Sequence, residues 1–115
     1  MFNMTLKELC KKAHQIAINK GFWLVTPSGN IAQRNTSELL MLIVTELGEA
    51  CEALRKNNKQ DYKDVWRKDT FEDEIADVFI RLGDMCKAMD IDIEWQIKRK
   101  MDYNKTRPRK HGKLF

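Results

Sequence analysis

Glu46-Leu47-Gly48-Glu49-Ala50-Cys51-Glu52 is the stretch whose setting decides the fold. It lies in a run from about Ser37 to Arg55. There Leu40, Ile43, Val44, Leu47, Cys51 and Leu54 recur at spacings of three and four, the mark of one apolar helix face. Leu39, Leu42, Glu46 and Glu49 form a second column on the flank of that stripe. Two carboxylates three residues apart therefore point the same way at the edge of a core. Like charges resist burial there and call for a compensating partner.

A second acidic pair follows. From about Phe71 to Met89 the residues Phe71, Ile75, Val78, Phe79, Leu82, Cys86 and Met89 are spaced as a helix stripe, with Glu74, Asp77 and Arg81 on its flank. Both acidic pairs are rotated to the same side of their stripes. Antiparallel packing, stripe to stripe, brings the two flanks together; parallel packing sets them apart. The intervening linker of about fifteen residues suits antiparallel neighbours. Glu46, Glu49, Glu74 and Asp77 then converge on one small volume. An all-carboxylate set suits Mg²⁺, with Mn²⁺ as a substitute, rather than zinc. Metal there can ligate phosphate oxygens and acidify a water. A further carboxylate can take the water's proton, with Glu46, Glu49 and Glu52 as candidates for that catalytic role.

Helix signals elsewhere complete an all-α, four-helix reading, with helices near 5–20, 37–56, 70–89 and 92–106. Thr5 and Glu8 form a capping box, Asn35 with Glu38 another, and Thr70 with Asp73 a third. Gly21 ends the first helix, and Pro27-Ser28-Gly29-Asn30 marks a turn in a loop long enough to rim a substrate site. Trp23 is a candidate to stack on a substrate base. In the last helix Lys100, Asn104 and Arg107 share one face, a line of donors suited to phosphate oxygens.

The 115 residues suffice for one domain with its own core, residues 1–115, ending in a basic tail from about 107. Residues 98–115 hold eight Lys and Arg against one acid, Asp102, leaving +7 there and, from a total of +4, −3 on the rest. An acidic body with a basic end suits metal ions and a polyphosphate together. With 43% hydrophobic and 33% charged residues and no long apolar run, the expectation is a cytoplasmic protein with no membrane segment or signal peptide. Cys10, Cys51 and Cys86 all fall at apolar helix positions and read as buried free thiols.

These residues resemble the MazG-like nucleoside triphosphate pyrophosphohydrolases of the all-α NTP pyrophosphatase superfamily. The specific likeness is the ExxE of Glu46–Glu49 followed by the ExxD of Glu74–Asp77. It extends to Lys20-Gly21-Phe22-Trp23, to Leu40–Val44 and to the end of the chain from Lys100 to Phe115. Thr45 stands where the family often carries a further Glu. The resemblance implies Mg²⁺-dependent hydrolysis of a (d)NTP to the monophosphate and pyrophosphate, in nucleotide-pool house-cleaning. It implies a MazG-like bundle that forms a homodimer or homotetramer. It makes Glu46, Glu49, Glu74 and Asp77 the metal ligands and sets Lys100 and Asn104 at the phosphates. The alternative is a non-catalytic helical module whose basic tail binds nucleic acid or a protein partner, but no nucleic-acid-binding motif supports it.

Overall fold

The computed structural model describes residues 3–115. The architecture is all-α: α1 (Leu6–Asn19), α2 (Thr36–Arg55), α3 (Phe71–Ala88) and α4 (Ile93–Lys105). Among the described residues, extended pairing is confined to isolated bridges such as Val25 with Ile31.

The helices begin where side chains can satisfy their first free N–H groups. Thr5 Oγ1 accepts from the Glu8 N–H at 3.1 Å, and Asn35 Oδ1 accepts from the Glu38 N–H at 3.2 Å. Thr70 accepts from the Asp73 N–H while the Asp73 carboxylate accepts from the Thr70 N–H, a complete capping box at the start of α3. Three helices end on a left-handed residue: Gly21 at φ 85°, Asn57 at 55° and Asp90 at 55°. Each is followed by a return bond, from Phe22 to Ala17, Asn58 to Ala53 and Ile91 to Cys86. Asn and Asp are the side chains best able to stand in for Gly at such a position.

α3 is the central helix, packed on α1 and on α2. α2 and α3 are antiparallel: Thr36 lies against Met89, Glu46 against Arg81, and the Asn58 carbonyl accepts from the Phe71 N–H. α1 and α3 are antiparallel too: Ile16 and Ala17 share a cavity with Asp77 and Ile80, while Lys7 and Lys11 share a recess with Lys87 and Asp90. Cys10 and Ala13 lie beside Gly83, and His14 beside Asp84. The α2–α3 linker is closed at its base by Asn58, whose amide donates to the Lys68 and Asp69 carbonyls at 3.0 Å. Tyr62, Val65 and Trp66, the large apolar residues of that linker, are exposed.

The face that α2 turns inward differs from the expected one. Leu39, Ile43, Glu46, Ala50 and Ala53 are buried. The stripe of Leu40, Val44, Leu47 and Leu54 is 46% to 51% exposed. The helix is turned by about a quarter of a revolution from the sequence expectation, given 100° per residue. Ala50 and Ala53 explain the choice, because small side chains let α2 approach α3 closely. Cys51 follows the stripe and is exposed, whereas Cys10 and Cys86 are buried and their thiols are pushed up by burial. No helix of the described residues is long and apolar enough to cross a membrane.

Gly83 marks the tightest contact of α1 with α3. A Cβ there would lie 2.8 Å from Leu9 Cδ2 and 3.5 Å from Cys10 Cα. Gly83→Ala gains roughly 1 kcal/mol of helix propensity and needs only the Leu9 methyl to shift, so urea midpoints should change little. Gly83→Val adds bulk against the α1 backbone and should cost about 2–3 kcal/mol. An unchanged midpoint for the valine variant would contradict this packing.

Candidate metal centre

The inward turn of α2 carries Glu46 into the seam between α2 and α3. Across that seam α3 presents Glu74, Asp77, Arg81 and Asp84, which at spacings of three and four form one polar column. Oxygens of Glu46, Glu74 and Asp77 all lie within 4.8 Å of one another. Glu46 and Glu74 are buried, at 8% and 5% exposure, and Asp77 opens to solvent. Glu74 Oε2 is enclosed and meets no hydrogen-bond partner.

Burial first, then the nearby Glu46 and Glu49 carboxylates, push the Glu74 carboxyl up to about 7 from an ordinary 4.5. Asp77 is raised as well, chiefly by desolvation and by Glu46, with Arg81 opposing the rise. The Arg81 Nε–H donates to Glu46 Oε1 at 2.8 Å, so one carboxylate of the group already has a counter-charge. A buried oxygen with no donor, inside a set of three carboxylates, could take a hard cation or share the proton that Glu74 retains.

Two recesses flank the carboxylates. One, of about 230 Å³, lies between α1, α2 and α3; Glu46 and Asp77 are at its polar side, and Ala13, Ile16, Phe22, Leu39 and Ile80 supply apolar wall. The other lies toward the α2–α3 linker and is lined by Glu49, Glu52, Lys56, Asn58, Lys68 and Glu74.

The expected site residues are thus brought together only in part. Glu46, Glu74 and Asp77 form the compact group. Glu49 is exposed and stands in the second recess beside Glu74. Glu52 is one turn further on, with Oε2 3.1 Å from Arg55 and Oε1 3.9 Å from Lys56. Trp23 is buried at 5% exposure, and its indole N–H donates to both Asp84 oxygens, at 3.0 and 3.1 Å. It holds Asp84 from behind and does not line the cavity; Phe22 and Arg34 from the same loop do. Lys100, Asn104 and Arg107 are not among the residues lining either recess.

Arg81, Asp84 and His14 are the residues whose roles sequence reasoning missed. His14 Nδ1 lies 2.7 Å from Asp84 Oδ1, and its ring meets Trp23 edge to face with centroids 5.3 Å apart. Arg34 lies over that indole, 5.4 Å from its centroid, and donates to the Phe22 carbonyl at 3.0 Å. The continuation of the Glu74–Asp77 column through Arg81 and Asp84 was the available signal.

No family model, curated protein or solved structure matches the chain.

The raised Glu74 carboxyl sets a pH dependence with a definite sign. The native state keeps this proton up to about 7, whereas the unfolded chain releases it near 4.5. The group therefore favours folding most below the unfolded value, and that advantage is lost as pH rises through the folded one. Asp77 acts in the same direction. In EDTA, Tm should fall between about pH 5 and about pH 8, and Glu74→Gln should flatten that fall. A wild-type profile no steeper than the variant's would show that the carboxyl is not crowded.

Proposed function

We propose that the chain is a Mg²⁺-dependent nucleoside triphosphate pyrophosphohydrolase, converting a (d)NTP to the monophosphate and pyrophosphate, as the resemblance to MazG-like enzymes implies. One observation carries the reading: Glu74, buried with an unpartnered oxygen, meets Glu46 and Asp77 at the junction of an apolar cavity and a cleft carrying lysines. Glu46, Glu74 and Asp77 would hold the cation, with Glu49 at the open edge. Bound there, the cation would offset phosphate charge and acidify a water.

The chain's own groups divide the remaining work. The cavity lined by Phe22, Leu39 and Ile80 receives the base and sugar and excludes water around them. Arg34 and Asp84 stand in its wall as polar partners for base edges. Lys68, at the linker side, has no ion-pair partner among the described residues and faces the phosphate end. Glu49, exposed beside Glu74, is placed to accept a proton from an attacking water. Arg81 holds Glu46 in place through its 2.8 Å bond. A homo-oligomer is part of the proposal, because the Leu40–Leu54 stripe is uncovered in one chain.

The test is turnover of a panel of NTPs and dNTPs with Mg²⁺, with products separated by phosphorus NMR. Pyrophosphate and monophosphate are expected; orthophosphate and diphosphate, or no turnover, would overturn the reading. Glu49→Gln and Glu74→Gln should each lower hydrolysis on the order of 100-fold or more. Their Tm in EDTA should stay level or rise, because repulsion is relieved. A lowered Tm with full turnover would mark these residues as structural only.

A further inference from the structure

Asp84 stands on α3 three residues after Arg81, and its carboxylate is held by α1 and by the loop after it. The Trp23 indole N–H donates to both oxygens, at 3.0 Å to Oδ1 and 3.1 Å to Oδ2. Such nearly equal distances set the N–H on the bisector of the carboxylate, where it occupies the inner lone pair of each oxygen. His14 Nδ1 lies 2.7 Å from Oδ1. An ionised carboxylate only accepts, so Nδ1 carries the hydrogen and fills the outer lone pair of Oδ1. One acceptor position is left, the outer lone pair of Oδ2.

That position belongs to the cavity between α1, α2 and α3. Asp84 lines this cavity, whereas Trp23 and His14 do not. The two donors therefore cover the carboxylate on its far side and fix its plane. A carboxylate with one open lone pair in a partly dry wall selects a ligand N–H, because a ligand carbonyl there would meet it lone pair to lone pair. A charged donor stands in the same wall. Arg34 lines the cavity, its Nη1 donates to the Phe22 carbonyl at 3.0 Å, and its guanidinium lies 5.4 Å from the Trp23 centroid. One nitrogen of the fork is spent on holding it in place, and the others remain for a ligand. Ile16, Leu39 and Ile80 supply apolar wall for a flat ring.

Nucleobases divide on this arrangement. Cytosine and adenine carry an exocyclic amine beside a ring nitrogen that accepts. Uracil, thymine and hypoxanthine carry a carbonyl oxygen beside a ring N–H. Guanine can grip a carboxylate with N1–H and its amine together, but that grip needs both inner lone pairs, and Trp23 occupies them. We propose that Asp84 is the specificity-determining residue of the cavity. Its Oδ2 accepts from the exocyclic amine of a cytosine or adenine base, and Arg34 donates to the ring nitrogen beside that amine. Trp23 and His14 are positioning residues that leave the one lone pair open. The nucleotide rests on the proposed function; selection of an amino ring over a keto ring requires no hydrolysis.

The experiment compares ligands that differ in one group. CMP against UMP, and AMP against IMP, exchange an amine for a carbonyl at nearly constant shape. Binding to the wild-type chain in Mg²⁺ is read from the ¹⁵N–¹H resonance of the Trp23 indole, which shares Asp84 with the ligand. Trp66→Phe and Trp95→Phe chains identify that resonance by elimination. CMP, AMP or both should shift it saturably, with a Kd at least about 10-fold below that of the keto partner. The pair that binds tighter tells whether the cavity takes the small ring or the large one. A keto partner bound as tightly as its amino counterpart, or no binding by any of the four, would overturn the proposal. Asp84→Asn sets an amide N–H₂ where Oδ2 stood and should reverse the order in favour of UMP or IMP. An unchanged order in that variant also overturns it, and should the variant fail to fold, the wild-type pairs decide.

Turnover separates the assignment of Asp84 from the reading beneath it. With CTP, UTP, ATP and ITP in Mg²⁺, kcat/KM should follow the same amino-over-keto order, on the order of 100-fold within a pair. Equal hydrolysis of amino and keto substrates overturns the role of Asp84 and leaves the function standing. No hydrolysis of any nucleotide, with the amino order kept in binding, overturns the function and leaves the role of Asp84 standing.

Discussion

Carboxylates forced together across the α2–α3 seam are the constraint around which the molecule is arranged. Two ionised oxygens about 5 Å apart repel by roughly 3 kcal/mol at an effective dielectric of about 20, and three such groups meet here. A chain that gains nothing from this crowding would place the acids on a solvated face. Instead, Ala50 and Ala53 let α2 settle close to α3 with Glu46 inside. The capping box at Thr70 and the Asn58 clamp set where α3 begins, and with it the height of Glu74. Repulsion is met partly by Arg81 and partly by the proton that Glu74 retains to about 7.

The polar column of α3 also connects the site to the loop after α1. Asp84 accepts from His14 and Trp23, and Arg34 closes over Trp23. These contacts tie α3 to α1 and to the loop, and the loop to itself, so Phe22 and Arg34 are held at the mouth of the cavity. Buried Trp23 is thus a positioning residue for the cavity rim. Its indole N–H is spent on a carboxylate, and Arg34 lies over its ring.

Helix positions were legible in the sequence to within a residue or two, because caps are local chemistry. Thr5, Asn35 and Thr70 announce their helices whatever the rest of the chain does. The antiparallel sense followed from the length of the linker, and with it the meeting of Glu46, Glu74 and Asp77 from the two i, i+3 pairs. What periodicity could not decide was which apolar face of α2 turns inward. Leu40, Val44, Leu47 and Leu54 are more hydrophobic than the face that is buried, but a helix with two apolar faces leaves the choice to packing against the rest of the chain. Cys51 was misplaced by the same rotation. The separation of Lys100, Asn104 and Arg107 from the acids was not readable either, since the direction of α4 depends on how Glu94 meets the start of α1.

The central claim is that the crowded carboxylates exist to hold a divalent cation. Its most direct test is calorimetric titration of the metal-free protein with Mn²⁺ near pH 6, in buffers of different ionisation enthalpy. Because Glu74 retains its proton up to about 7, binding should release close to one proton per ion near pH 6 and progressively less above pH 8. Glu74→Gln should abolish the release and weaken binding by on the order of 10-fold or more. Absence of Mn²⁺ binding by the wild type, or binding that Glu74→Gln leaves unchanged in affinity and proton release, would contradict the account.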